Sequence, residues 1–467
     1  MKDILSRPMR DMLESASART SLHMPAAQGI APYDEISAHR LDTTELAITD
    51  DLYQPAGAIA RAQALAAKSA GAAHTLLLPG GSTAGIQAML LYALRQGEQV
   101  ILPRNVHISV LNACAVAGLE PVFAKISFTA CGRTYTRQQD FEKAMADHPN
   151  AKAVLALRPD YYGLMPDIAV ISQMAHQRNM LMLCDEAHGA TFNWRTDVPN
   201  AGACGADLFV QSAHKTLPAL TPGAWLHAAR GVDIERLRRI LRMVQTSSPS
   251  FLIMRSLDDA RAWMDENGAT AAEQLAKALD AFHESAAHLG YSSGQSNVPE
   301  GHSYDSLRLV LRAPQGGYAL DSALREQGMD VEMADDAHIV CILSLMDGEK
   351  RLQVLLDALK AIAVQPKESF SAPRRSVFPM LQGIPPRKLP LHEAAFAPCE
   401  AVPMAQAAGR ICAAHVGLYP PGVALCVAGE GYTQELLAFL REREEGLFGL
   451  PSPGKVLCVI PERTNVD

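Results

Sequence analysis

Asp207-Leu-Phe-Val-Gln-Ser-Ala-His-Lys215-Thr216 and, about twenty-five residues before it, Leu181-Met-Leu-Cys-Asp185 follow one plan. Each is a short apolar run that ends in polar residues, the pattern of a buried strand with a working group at its carboxyl end. One run delivers a carboxylate, Asp185, and the other an amine, Lys215. A lysine just beyond a core strand must reach water or meet a partner that uses its amine. Snorkelling by Lys215 and helix capping by Asp185 are the structural alternatives.

The flanking sequence extends the plan. Thr75–Leu78, Gln99–Leu102, Pro121–Phe123 and Ala153–Leu157 read as further strands. Helical stretches separate them, at 57–71, Ile86–Arg95, Ile108–Ala117 and near Asp167–Arg178. This alternation predicts an α/β fold with a mostly parallel sheet and helices on both faces. Sites in such sheets form outside the carboxyl ends of the strands.

The alternation fades after about residue 235. Helices are expected over Asp233–Val244 and Ser256–Leu289, the second interrupted or kinked at Gly268. Strands at Leu307–Leu311, Val331–Glu332 and Ile339–Leu343, with helices at Tyr318–Gln327 and Asp347–Val364, predict a smaller α+β domain. The expected organisation is an N-terminal arm over 1–35 carrying a short helix at Ile4–Ala16, and a large domain over 36–250. The small domain follows over 251–370, a Pro- and Arg-rich linker over 371–391, and a C-terminal α+β domain over 392–467. In the last unit a helix is expected within His392–Val416, a strand at Ala424–Val427 and a helix at Tyr432–Glu444.

Composition sets the class. The chain has 467 residues, 48% hydrophobic and 20% charged, which describes a multidomain globular protein. A net charge of -8 argues against a nucleic-acid or anionic-membrane partner. Nine scattered cysteines without a C-x-x-C pair form neither a disulfide framework nor a zinc pattern. No apolar run reaches the ~20 residues of a membrane span, and the N-terminus lacks a signal-peptide core. A cytoplasmic location is expected.

Four features in chain order point to a pyridoxal phosphate site. Gly80-Gly-Ser82-Thr83-Ala-Gly85 lies between a strand and a helix, where glycine backbone and helix N–H groups cradle a phosphate. The turn is not a P-loop, since no Gly-Lys-Ser/Thr follows. His107, after the next strand, is placed to stack on a planar ring. Asp185 would keep a pyridine nitrogen protonated by charge pairing, with the small Ala187 leaving room at the ring face. His188 would touch the ring hydroxyl or a substrate carboxylate, or order its neighbours by a hydrogen bond. Lys215, flanked by Ser212 and His214 as phosphate donors, would form the Schiff base.

These residues resemble a known family. Ser212-Ala-His-Lys-Thr-Leu-Pro-Ala-Leu-Thr221 is similar to the lysine motif of the bacterial ornithine/lysine/arginine decarboxylases, of the aspartate-aminotransferase fold (fold type I). So are Asp50-Asp-Leu-Tyr-Gln-Pro55, Arg104-Asn-Val-His107, Asp160-Tyr-Tyr-Gly163, Asp185-Glu-Ala-His-Gly189, Thr246-Ser-Ser-Pro-Ser250, Tyr419-Pro-Pro-Gly422 and Gly429-Glu430. The length resembles the short branch without an N-terminal wing domain. The resemblance implies α-decarboxylation of a basic L-amino acid. It makes Lys215 the Schiff-base lysine, Asp185 the ring-nitrogen partner, His107 the stacking residue, and Ser82, Thr83, Ser212 and His214 phosphate ligands. It further implies that Thr246, Ser247 and Ser248 reach a neighbouring subunit's site in a homodimer, and that Glu430 faces the substrate's distal cation.

Two segments depart from the family pattern. Pro25-Ala26-Ala27-Gln28 stands where the family has Pro-Gly-His-Lys, and His107-Ile108-Ser109 where it has His-Lys-Ser. Both remove a basic side chain. They motivate a second reading, in which the same cofactor serves a decarboxylase, lyase or aminotransferase acting on another amino acid. A third reading, a non-catalytic regulatory protein of this fold, is disfavoured by the intact Lys215 and Asp185.

Overall fold

The computed structural model describes residues 19–22, 42–46, 49–129, 134–295, 298–364, 384–418, 423–443 and 446–461. The expected helix at Ile4–Ala16, the Pro25–Gln28 departure, Tyr419–Gly422 and most of the linker lie outside them.

Seven strands form the central sheet: β1 (His74–Leu78), β2 (Gln99–Pro103), β3 (Glu120–Ala124), β4 (Ala153–Leu157), β5 (Leu181–Asp185), β6 (Leu208–Gln211) and β7 (Ala224–Ala228). Their order is β1-β7-β6-β5-β4-β2-β3. Only β7 runs antiparallel, pairing Leu208 with Ala228 on one side and Leu78 with Ala224 on the other. The strand positions match the sequence reading, except that β7 was not foreseen. Its run, Ala-Trp-Leu-His-Ala, is fully buried and carries a histidine, so it shows no alternation.

The helices α1 (Ala58–Ala70), α2 (Gly81–Ala93), α3 (Ile108–Ala117), α4 (Gln138–Asp147), α5 (Ile168–His176), the one-turn α6 (Ala213–Thr216) and α7 (Ile234–Val244) surround the sheet. One core packs Met89, Leu90, Val110 and Leu111 against Leu102, Leu155, Leu183 and Val210; the opposite core packs Phe141, Met145 and Ile171 against Val154, Met182 and Phe209. Helix α2 begins at Gly81, so the glycine-rich segment forms the first turn of the helix rather than a loop before it. Gly81 has φ +80 and its missing Cβ would meet Pro222 at 3.2 Å. A Cβ on Gly85 would lie 2.7 Å from Leu78 and Val210, so glycine there lets helix and sheet approach.

Helix α8 (Phe251–His288) runs unbroken for 38 residues, correcting the expected interruption at Gly268. Glycine serves packing there: its Cβ would stand 2.7 Å from Met264 and 3.2 Å from Trp194. The small domain adds β8 (Leu309–Arg312), α9 (Gly317–Glu326), β9 (His338–Cys341) and α10 (Gly348–Val364) around its own core. Leu164–Pro166 of the large domain pairs antiparallel with His302–Tyr304, joining the two units at the site.

The C-terminal unit holds α11 (Leu391–Phe396), β10 (Cys399–Pro403), β11 (Val416–Leu418), β12 (Val423–Cys426), α12 (Gln434–Glu442) and β13 (Lys455–Val459). The helix expected within His392–Val416 is confined to six residues, because β10 follows at Cys399 and pairs with β13 in register from Cys399–Val459 to Pro403–Lys455. Leu391, Ala394, Ala424 and Val427 bury into the core of the large domain.

Candidate active site

The carboxyl ends of β1, β2, β4, β5 and β6 meet one pocket. Ser82, Asn105, His107, Tyr161, Asp185 and Lys215 line it, with Ala187 and His188 beside them. The sheet therefore gathers residues spread over more than a hundred positions of sequence, as the alternation predicts.

Asp185 ends β5, only 2% exposed, and its Oδ1 accepts the Ala187 N–H at 3.2 Å. Glu186, next in sequence, takes the other side of the chain. It pairs with Arg158 at 2.6 Å and accepts from Gln211 Nε2 at 2.7 Å. Burial pushes its carboxyl up to about 7, against the pull of Arg158 and Gln211.

Lys215 stands in α6, directly after β6. Its Nζ lies 3.1 Å from His188 Nε2, and His188 Nδ1 lies 3.4 Å from Arg308 Nη2. Guanidinium is an obligate donor. With Arg308 facing Nδ1, that nitrogen accepts and the proton sits on Nε2, from which it is donated to Lys215. The amine that accepts it is neutral. The electrostatics agree. Burial lowers the Lys215 ammonium below the usual lysine range, partly opposed by Asp185 and Glu332. Burial, then Lys215 and Arg308, hold His188 well below the usual histidine value. Burial also lowers His107, whose Nδ1 meets Ser109 Oγ at 2.8 Å. Tyr161 packs against His188 with ring centroids 4.9 Å apart.

Several buried donors around this lysine have no partner among the described residues: Ser212 Oγ, Thr216 Oγ1 and Arg308 Nη1. Leaving a buried polar group unpaired costs about 1–3 kcal/mol. Two orphaned hydroxyls at the turn bearing Lys215, with the amino end of α2 and Ser82 across from them, suit an anionic group such as a phosphate. The donor set fits pyridoxal phosphate in kind.

Not every expected residue gathers here. Thr83 is exposed and outside the pocket lining. His214 turns its Nδ1 to the Gly223 carbonyl at 2.9 Å. Thr246, Ser247 and Ser248 are exposed beyond α7, away from the pocket of their own chain. The largest difference is Glu430. It is 1% exposed and engaged by Arg104 through two bonds, of 2.6 and 2.8 Å, with the Val427 N–H as a third donor at 2.8 Å. Its carboxylate is spent inside the chain and does not face the pocket. Tyr161 and Asn105 line the pocket, and Arg308 reaches it through His188, without having been assigned roles from sequence. Arg308 sits at the start of a recognisable strand, and only its unusual burial, 3% exposed, marks it.

The comparisons agree with this geometry. The Orn/Lys/Arg decarboxylase major-domain profile matches residues 32–291, and the profile of that family's C-terminal domain matches 390–454. The arginine decarboxylase of Halalkalibacterium halodurans is 31% identical over 441 residues, covering 90% of this chain and 87% of its own length. The arginine decarboxylase of Bacillus subtilis is 30% identical, with 90% and 87% covered. The constitutive lysine decarboxylase of Escherichia coli superposes with a TM-score of 0.76 at 18% identity, over 91% of this chain and 76% of that one, which speaks for the fold. With a seven-stranded sheet carrying Asp185 and Lys215 at adjacent strand ends, and both family domains matched in order, the chain belongs to the Orn/Lys/Arg decarboxylase family.

Proposed function

We propose that the chain is a pyridoxal-phosphate-dependent α-decarboxylase of a basic L-amino acid, with arginine the first substrate to test. The observation that carries this is Lys215 Nζ standing 3.1 Å from His188 Nε2, with Lys215 and Asp185 at the carboxyl ends of adjacent strands. The full-length relatives named arginine decarboxylase support the substrate.

When bound, pyridoxal phosphate supplies an aldehyde that captures amines and a protonated ring that accepts electrons from the α-carbon. The chain supplies the rest. Ser82, Ser212, Thr216 and the first turn of α2 hold the phosphate. Asp185 would keep the proton on the ring nitrogen, and His107 would lie against the ring face. Arg308 offers its unpaired N–H to a carboxylate and orients the bond to be broken. After carbon dioxide leaves, Lys215 Nζ or His188 Nε2 returns a proton to the α-carbon. Thr246, Ser247 and Ser248, exposed outside their own pocket, serve the neighbouring subunit of a homodimer. The enzyme acts in the cytoplasm, and its product amine places it among polyamine-forming reactions.

The test is incubation of the holoenzyme with L-arginine, L-lysine and L-ornithine, measuring carbon dioxide and the amine. Absence of release from all three, with cofactor bound, would sink the substrate reading. Glu430, buried against Arg104, favours keeping a second reading, in which the same cofactor acts on an amino acid without a distal cation. Mass analysis of products from a wider panel separates the two.

A further inference from the structure

The opposite edge of the central sheet carries a second cavity, of about 490 Å³. It opens at the amino ends of the parallel strands, beside Leu181, whereas Asp185 ends the same strand at the catalytic side. Five residues of strand separate the two edges, on the order of 16 Å. A ligand here is therefore not the substrate in the catalytic pocket.

Four cations border the cavity: Arg95, Lys152, Arg230 and Arg236. The chain carries a net charge of -8, and several of its described surface arginines face a carboxylate, as Arg137, Arg255, Arg325 and Arg410 do. None of these four has an ion-pair partner among the described residues. Arg236 lies over the Tyr92 ring instead, 4.7 Å from its centroid. The two carboxylates of the cavity are committed elsewhere. Glu98 Oε2 accepts the Arg95 backbone N–H at 2.7 Å. Asp207 Oδ2 accepts the Met182 N–H at 2.7 Å and meets His176 Nε2 at 2.9 Å. Four cations against two engaged carboxylates leave a positive hollow on an acidic protein. Guanidinium groups bind planar oxyanions in pairs of parallel bonds.

We propose that this cavity is an effector site for a small molecule bearing two or more oxyanion groups, bound by Arg95, Lys152, Arg230 and Arg236. Phosphoryl and carboxylate polyanions share that chemistry, and the experiment separates them. The site stands whether or not the substrate is arginine.

Holoenzyme reconstituted with pyridoxal phosphate, so that the cofactor's phosphate site is filled, is titrated calorimetrically at low salt with inorganic pyrophosphate and, separately, with citrate. The Lys152→Gln/Arg230→Gln double variant is titrated in parallel. The expected result is saturable binding of at least one probe, weakened about tenfold or more in the double variant, with turnover of the unliganded enzyme unchanged. Binding of pyrophosphate alone assigns a phosphorylated effector, and binding of citrate alone a polycarboxylate. Binding of both supports the shared site. No saturable heat with either probe, or equal affinity in the variant, overturns the proposal.

Discussion

At the residue scale, the tautomer of His188 governs the lysine. Because Arg308 can only donate, His188 holds its proton toward Lys215 and stabilises the free amine. Lys215→Ala is expected to abolish both turnover and the long-wavelength absorbance of the lysine-bound cofactor; an unchanged spectrum would remove Lys215 from its role. Asp185→Asn is expected to retain cofactor but lower kcat on the order of 10²-fold or more, since the ring nitrogen loses its charge partner. A variant with wild-type kcat at saturating cofactor would contradict that assignment. Lys215, Asp185 and His107 were legible because each follows a strand in a pattern local to ten residues. Arg308 was not, since its meaning depends on a partner 120 residues away.

At the element scale, Asp50 anchors α1 from outside the helix. Its carboxylate accepts the N–H groups of Asp51, Ala56, Gly57 and Ile59 at 2.8–3.0 Å. Burial pushes its carboxyl up, but the four backbone donors prevail and hold it at about 2, below the ordinary 3.8. A carboxyl depressed in the folded state stabilises above its unfolded value and loses that contribution as pH falls through the folded one. Asp50→Asn, which tolerates the φ of +73 at this position, is expected to lower stability at pH 7 by about 1 kcal/mol after allowance for solvent screening. The gap from wild type should close between pH 4 and 2, a window set by the two values of Asp50. A gap independent of pH in chemical denaturation would refute the capping role. The sequence shows this segment only as an acidic loop, because caps that reach back seven or nine residues leave no periodic signal. The strands and helices themselves were legible wherever period or propensity was strong. β7 and the C-terminal strands β10, β11 and β13 were not, since pairing with distant strands decides them, whereas β12 follows the expected run at Ala424–Val427.

At the scale of the whole molecule, the Arg104–Glu430 pair fastens the C-terminal unit to the large domain. Arg104 also bonds the Leu425 carbonyl at 3.2 Å and lies over the Phe123 ring at 4.5 Å. It immediately precedes Asn105, and His107 follows two residues later, so the C-terminal unit braces the loop that lines the pocket. Breaking one side of a buried pair costs about 3–5 kcal/mol. Glu430→Leu should therefore lower the melting temperature markedly, and adding Arg104→Met should restore part of it. A raised KM with unchanged melting temperature would instead return Glu430 to the substrate. The proposed homodimer with shared sites makes a further claim. Inactive Lys215→Ala chains mixed with inactive Ser247→Trp chains should regain roughly a quarter of wild-type activity on exchange, because one site in each mixed dimer is complete. No recovery in a mixture shown to exchange subunits would place residues 246–248 outside the neighbour's site.

The lone antiparallel strand also sets the order in which the enzyme comes into being. β1 meets the sheet only through β7, about 150 residues later in the chain. The segment proposed to hold the phosphate is thus made early and docked late. A growing chain released as far as Lys215 already has both reactive side chains, yet β1 has no edge to pair with until Ala224–Ala228 emerges. Closing so long a loop is slow. On the proposed reading, cofactor capture is therefore expected late in biosynthesis, after the large domain has been synthesised through its last strand.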